Sequence, residues 1–284
     1  MRRFIGIIVA LALALCTLCA LSCTSPKYTE PERSDDIRAK SEKIVHAAGE
    51  LWGFDADGVW RSFFGSNSAE ALEECGHYFG ERGGLVELDF NFTSDGELVC
   101  IHDWSPEYVE GIEHGVALSY DEFMSSEIYW NFTPLDLTCV ASFLREHPEI
   151  YIVTDIKTDN VMGVREIAET CPDLKDRFII QIYSAAEYDA VRELGFDNVI
   201  YTLYMLPWHE KVDTDALVKF ESSHPLVGFT FPAELCDIEG FLEGILESGV
   251  PLYVHTINDA DEAKSYIERG ITGVYTDYLE IEIE

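Results

Sequence analysis

Positive charge is what this sequence has least of. Its 284 residues carry 19 Lys and Arg against 53 Asp and Glu, a formal net charge of −34. No basic stripe or patch occurs along it, which argues against nucleic-acid binding. A phosphate ligand is repelled as well, unless a metal ion or a local cation reverses the field. Paired thiols are also lacking. Of the eight cysteines, Cys16, Cys19 and Cys23 fall in the N-terminal stretch. Cys75, Cys100, Cys139, Cys171 and Cys236 are scattered, odd in number and without CxxC spacing. They read as buried small hydrophobes, with one disulfide at most, and not as a zinc site. Internal repeats and later low-complexity segments are missing too. The length suits one large α/β domain or two small ones, and 47% hydrophobic residues can supply a sizeable core.

The N-terminus stands apart. Arg2 and Arg3 precede an apolar run over residues 4–21, followed by Leu21-Ser22-Cys23. This resembles a bacterial secretory signal with a lipoprotein-type cleavage site before Cys23. The run is also long enough to span a bilayer as an uncleaved anchor. Either way the rest of the chain is expected outside the cytoplasm, tethered to the membrane. Residues 1–22 are read as the leader and 23–42, polar and with two prolines, as a flexible tether. Residues 43–284 form the domain.

Within that domain the stretch VELDFNFTSDGELVCIHDW, residues 86–104, begins as a strand. Val86, Leu88, Phe90 and Phe92 alternate with Glu87, Asp89, Asn91 and Thr93. Glu87 and Asp89 therefore point the same way, about 7 Å apart. Strands are expected over 44–46, 85–90, 151–155, 178–182, 198–202, 226–229, 251–255 and 273–275. Helices are clearest over 137–146, 161–171, 185–194, 239–248 and 259–269. Several begin at Asp or Ser and several stop at Gly195, Gly249 or Gly270. Eight strands alternating with helices predict a (β/α)₈ TIM barrel, with a small hairpin insertion after the second strand where Ser94-Asp95-Gly96-Glu97 reverses the chain. Parallel barrel strands have no wet face. Glu87 and Asp89 must then sit inside the barrel mouth, where buried carboxylates need a cation. A buried Lys or Arg could serve, but basic residues are few, and a metal ion is the favoured partner.

Polar residues recur at the C-terminal strand ends, where barrel enzymes keep their chemistry. They are His46, then Glu87 and Asp89, His102 after the hairpin, Asp155 and Lys157, Tyr183, Tyr204, His255 and Asn258, and Thr276 and Asp277. The segments IVHAAGE (44–50), SNSAEAL (66–72), VELDFNFTSDGELVCIHDW (86–104), VTDIK (153–157), YVHTIND (253–259) and GVYTDYL (273–279) together resemble the glycerophosphodiester phosphodiesterases. Asn67, Ser68, Glu70 and Ala71 resemble a subgroup that carries His-Ala-x-Gly. Three positions depart from the family pattern. Ala47 stands where an Arg usually helps hold phosphate, Asp155 where a Glu is usual, and His255 where a Trp is often found.

The resemblance implies a metal-dependent hydrolysis of glycerophosphodiesters to glycerol 3-phosphate and an alcohol. Glu87, Asp89 and Asp155 would hold one divalent ion, Ca²⁺ or Mg²⁺. His46 and His102 would act as general base and acid, and Lys157 would bind phosphate. Trp104 and Tyr183 would contact the alcohol, with plain packing an equal reading for Trp104. Asn67, Asn258 and Asp277 are expected to organise loops. His255 is either a third polar group in the mouth or a hydrogen-bonded core histidine. The expected partners are a small glycerophosphodiester and, through a lipid anchor, a membrane surface. The alternative is a non-catalytic lipoprotein that binds a phosphorylated headgroup on the same barrel, or a related phosphodiester hydrolase or lyase. Two long loops, 47–84 and 105–134, are expected to cover the mouth.

Overall fold

The computed structural model describes residues 42–281, and Ile37 besides. All the described residues belong to one compact unit, Ser34–Glu284. The leader expected over 1–22 and most of the tether over 23–42 thus lie outside the described residues. Among the described residues no helix is long and apolar enough to cross a membrane.

In chain order the strands are β1 (Lys43–Val45), β2 (Leu51–Phe54), β3 (Trp60–Phe63), β4 (Gly84–Phe92), β5 (Leu98–Cys100) and β6 (Leu135–Asp136). They continue with β7 (Ile150–Ile156), β8 (Phe178–Ile182), β9 (Val199–Thr202), β10 (Gly228–Pro232), β11 (Leu252–His255) and β12 (Gly273–Thr276). Eight of them run parallel in the order β1-β12-β11-β10-β9-β8-β7-β4, and β4 pairs back to β1. The sheet is therefore closed, as the alternation of strands and helices predicts. Helices start where an Asp side chain takes an orphan N–H. Asp136 accepts from Cys139 N, Asp159 from Met162 N and Asp259 from Glu262 N. Gly195, Gly249 and Gly270 follow helices at positive φ.

Strand alternation sorts the core into two. Ile44, Leu85, Tyr151, Val153, Ile179, Ile200, Tyr253 and Tyr275 fill the barrel interior as one cluster. Val45, Val86, Leu88, Ile152, Ile180 and Val254 face outward into a second, larger cluster with the helices. Since Leu85 points inward, so do Glu87 and Asp89 two and four residues on. The acidic pair is thus stacked above an apolar plug.

Several expectations needed correction. The expected helix 185–194 is a 3₁₀ turn, Ala185–Glu187, followed by the helix Tyr188–Glu193. The strand expected over 226–229 is shifted to Gly228–Pro232, because Phe229 to Pro232 pair in register with Leu252 to His255. The insertion after the second barrel strand is larger than a hairpin. β5 pairs antiparallel with β4, and β6 adds to β5. The 47–84 loop holds the unforeseen β2–β3 hairpin and the helix Ala69–Phe79. The five domain cysteines are all free, and Cys139 is exposed where a buried thiol was expected.

Gly83, which leads into β4, tests the closure. It sits at φ 69°, and a Cβ there would press into the Glu149 carbonyl group. Backbone cannot yield as a side chain does. Gly83→Ala is expected to lower stability by roughly 2–4 kcal/mol, read as a drop in the thermal midpoint.

Candidate active site

The floor of the site is built by β4 and β7. Their parallel register sets Asp89 directly beside Asp155. Oxygens of Glu87, Asp89 and Asp155 all lie within 4.8 Å of one another. Glu87 and Asp89 are each only 1% exposed. Burial first, and then the Asp89 charge, push the Glu87 carboxyl up to about 8. Burial pushes Asp89 the same way, but Lys157, His102 and His46 outweigh it and hold Asp89 below its ordinary value.

Each carboxylate is held by named partners. Glu87 Oε2 accepts the Ala47 N–H at 2.7 Å, while Oε1 is buried and finds no hydrogen-bond partner among the described residues. Asp89 Oδ2 accepts from Asn67 Nδ2 at 2.8 Å, and the Asp89 N–H donates to Asn67 Oδ1 at 2.9 Å. Asp89 Oδ1 makes no well-angled hydrogen bond but lies 2.6 Å from Lys157 Nζ, close enough to count as an ion pair. Lys157 also donates to Asp155 Oδ2 at 2.9 Å. Asp155 Oδ1 accepts from the hydroxyls of Tyr183 and Tyr204. Three clustered carboxylates share one close ammonium, and one buried oxygen is left over. Hard oxygen donors in this surplus fit a divalent cation.

His46 stands at the rim of this floor. Its Nδ1 is 2.8 Å from Asp277 Oδ1, and its Nε2 is 4.0 Å from Glu87 Oε2. Asp277 is fixed in turn by Asn258, whose Nδ2 donates to Oδ2 at 2.6 Å and whose Oδ1 accepts the Asp277 N–H at 2.8 Å. Burial depresses the His46 pKa, but the Asp277 hydrogen bond and the Glu87, Asp89 and Asp277 charges overcome it and raise it to about 9. His102 is more open, at 45% side-chain exposure, with Nδ1 3.0 Å from Asp103 Oδ2. Its ring stacks on Tyr108 at 6.2 Å between centroids. A cavity of about 780 Å³ opens over the floor, lined among others by His46, His102, Lys157, Tyr183, Tyr204 and His255.

The structure thus gathers His46, His102, Glu87, Asp89, Asp155, Lys157 and Tyr183 in one mouth. It does not bring Trp104 there. That side chain is 6% exposed, its Nε1 donates to Phe92 O at 3.1 Å, and its ring meets Phe123 edge-on. This placement supports the packing reading of Trp104, which is not among the residues lining the cavity. Three supporting residues were read from sequence only as loop organisers. Asn67 holds Asp89, Asp277 orients His46, and Asn258 orients Asp277. Two further supports, Tyr204 on Asp155 and Asp103 on His102, have no sequence pattern that assigns them these roles.

Asn67 makes the sharper test of this support. It is fully buried at φ 47° and makes two hydrogen bonds to Asp89. Asn67→Ala leaves the Asp89 N–H without its acceptor and frees the carboxylate to turn. Metal affinity or turnover is expected to fall roughly 10–100-fold, measured by titration calorimetry with Ca²⁺ or Mg²⁺ and by steady-state kinetics.

Comparison with known proteins agrees with this geometry. Residues 80–281 match the model of the glycerophosphoryl diester phosphodiesterase family. A glycerophosphodiester phosphodiesterase of Caldanaerobacter subterraneus subsp. tengcongensis is 23% identical over 214 residues, spanning 68% of this chain and 81% of that protein. An Oleispira antarctica phosphodiesterase, solved with the product sn-glycerol-3-phosphate, superposes at a TM-score of 0.63 and 14% identity. That match covers 87% of this chain and 97% of the other. The Thermotoga maritima glycerophosphodiester phosphodiesterase gives 0.57 at 19% identity over 84% of this chain and 96% of its own. The structural likenesses establish the barrel, and the match over residues 80–281 establishes kinship. The chain belongs to the glycerophosphoryl diester phosphodiesterase family.

Proposed function

We propose that the protein hydrolyses glycerophosphodiesters to glycerol 3-phosphate and an alcohol, with one divalent cation and with His46 and His102 as its acid–base pair. One observation carries this reading. Two carboxylate-backed histidines line a single cavity together with Asp155, whose carboxylate clusters with those of Glu87 and Asp89. Glu87, Asp89 and Asp155 are the residues that would hold the cation, and their oxygens suit Ca²⁺ or Mg²⁺. When bound there, such an ion supplies Lewis-acid polarisation of a phosphoryl oxygen and offsets the acidic field.

The remaining chemistry belongs to the side chains. Lys157 presents a fixed ammonium to the phosphoryl group in a chain with few cations. Asp277 occupies Nδ1 of His46, so Nε2 is the nitrogen left to exchange a proton with the reacting oxygens. His102, turned by Asp103, serves the opposite side of the phosphorus. The nucleophile is either the neighbouring glyceryl hydroxyl, giving a cyclic phosphate that water opens, or water itself. In both routes one imidazole takes the proton of the attacking hydroxyl and the other protonates the departing alkoxide. Tyr183 supports Asp155 and lines the space for the organic part of the substrate. The leader over 1–22 and Cys23 support an extracytoplasmic, membrane-tethered location, with a lipid anchor at the N-terminus.

The test uses the full chain in mild detergent with glycerophosphocholine, glycerophosphoethanolamine and glycerophosphoglycerol. Release of glycerol 3-phosphate is expected with Ca²⁺ or Mg²⁺ and not with chelator. Ion and headgroup binding without release would instead favour the non-catalytic headgroup-binding lipoprotein. Ala47, standing where the family has Arg, is the feature that supports that rival.

A further inference from the structure

His255 closes β11 and, two residues beyond the inward-facing Tyr253, projects into the mouth. Its ring lies edge-on to Tyr204 and Tyr275, each at 5.9 Å between centroids. It lines the same cavity as His46 and Lys157. Around the barrel, β7 and β11 are separated by β8, β9 and β10, half the circumference of the closed sheet. His255 therefore stands on the wall opposite Asp155. The cavity reaches from Asp155 to this wall, so a substrate whose phosphate lies beside Asp155 has room for an organic group against His255.

The ring is not a satisfied core histidine. Its Nε2 is buried and makes no hydrogen bond among the described residues. Burial, and next the His46 charge, press its pKa down to about 4, so the imidazole is neutral at working pH. A neutral imidazole offers one donor and one acceptor nitrogen. A hydroxyl can satisfy either, and a quaternary ammonium or a bare aromatic ring cannot.

We propose that His255 is a specificity-determining residue that hydrogen-bonds a hydroxyl of the substrate's organic part, across the mouth from the phosphate. This rests on the phosphodiesterase reading above. The hydroxyl can come from the glyceryl group or from the departing alcohol, and the choice of substrate separates them.

The variants His255→Phe, which keeps a flat ring between the tyrosines, and His255→Gln, which restores a donor and an acceptor, are made in the full chain. Glycerophosphocholine, glycerophosphoglycerol and the hydroxyl-free bis(p-nitrophenyl) phosphate are the substrates. For His255→Phe the ratio of kcat/KM for glycerophosphocholine over the hydroxyl-free diester is expected to fall about tenfold, mainly through KM, with partial recovery in His255→Gln. A fall confined to glycerophosphoglycerol assigns the departing alcohol's hydroxyl instead. Equal losses on all three diesters, or no loss, overturn the proposal, and the thermal midpoint separates misfolding from a binding defect. Absence of glycerol 3-phosphate release by the wild type would sink the substrate reading itself, a different result from an active wild type with an indifferent variant.

Discussion

Replacing His46 by alanine is expected to lower kcat on a glycerophosphodiester by about 10²–10⁴-fold while the barrel stays folded, and His102→Ala is expected to fall in the same range. The ring of His46 lies at the rim, with 34% of its side chain exposed, so its loss opens no core cavity. β1 keeps its pairing with β12 and β4 through backbone bonds. What disappears is an imidazole with a defined tautomer. Asp277→Asn isolates that contribution. Two of the influences raising the His46 pKa, the hydrogen bond and the charge of Asp277, weaken in this variant. The folded pKa of His46 lies above its unfolded value near 6.5. Its protonated form therefore adds stability below that pH, and the contribution is lost as pH rises through about 9. Asp277→Asn should move this titration downward, and a bound divalent ion should do the same by compensating Glu87 and Asp89. NMR titration of the His46 ring, in chelator and with Mg²⁺, reads both shifts without reference to turnover. Unchanged titration in Asp277→Asn, or near-wild-type kcat in both alanine variants, would remove His46 and His102 from the proposed acid–base roles.

The barrel strands were legible because burial on both faces leaves runs such as YIVTDI in β7 and FIIQI in β8, too apolar for surface. The acidic pair was legible for the converse reason, since Glu87 and Asp89 interrupt such a strand on its inward side. The β2–β3 hairpin was not. Leu51 and Phe63 face the protein while Trp52, Phe54 and Trp60 face solvent, so both faces are apolar and no alternation shows. The helix Ala69–Phe79 is blurred by Gly76, which is there because a Cβ would meet His147 and Phe143. The supporting contacts were hidden by distance along the chain. Asn67 and Asp89 are 22 residues apart, and His46 and Asp277, 231 apart, meet only where β1 closes onto β12. Ala47 shows what a motif letter leaves out. Besides lacking an arginine side chain, it sits at φ 46° with its methyl buried, donating its backbone N–H to Glu87.

Glu87→Gln is expected to abolish the response to divalent ions and yet to stabilise the metal-free protein at alkaline pH. The reason lies in the cost of ionising a carboxyl that is 1% exposed beside Asp89 and Asp155. Its folded pKa, about 8, lies above the ordinary 4.5. A raised carboxyl pKa means the folded state holds a proton that the unfolded chain has released. Stability therefore falls as pH rises between those two values, by up to about 1.4 kcal/mol per pH unit, and the loss persists above the higher one. Glutamine keeps the shape and the acceptor for the Ala47 N–H but cannot ionise. In chelator the variant should melt above the wild type at pH 8.5, with the gap closing toward pH 5. Adding Ca²⁺ or Mg²⁺ should raise the wild-type midpoint, because the ion binds the folded chain, and should leave Glu87→Gln nearly unmoved. Turnover of the variant should fall about 100-fold or more, beyond the range for a supporting residue such as Asn67. Thermal unfolding across pH, with and without ion, separates the two effects. Equal stabilisation of both proteins by the ion would place the metal elsewhere. A variant less stable than wild type at pH 8.5 would mean that Glu87 is already neutralised by its neighbours, with no surplus charge for a cation to offset.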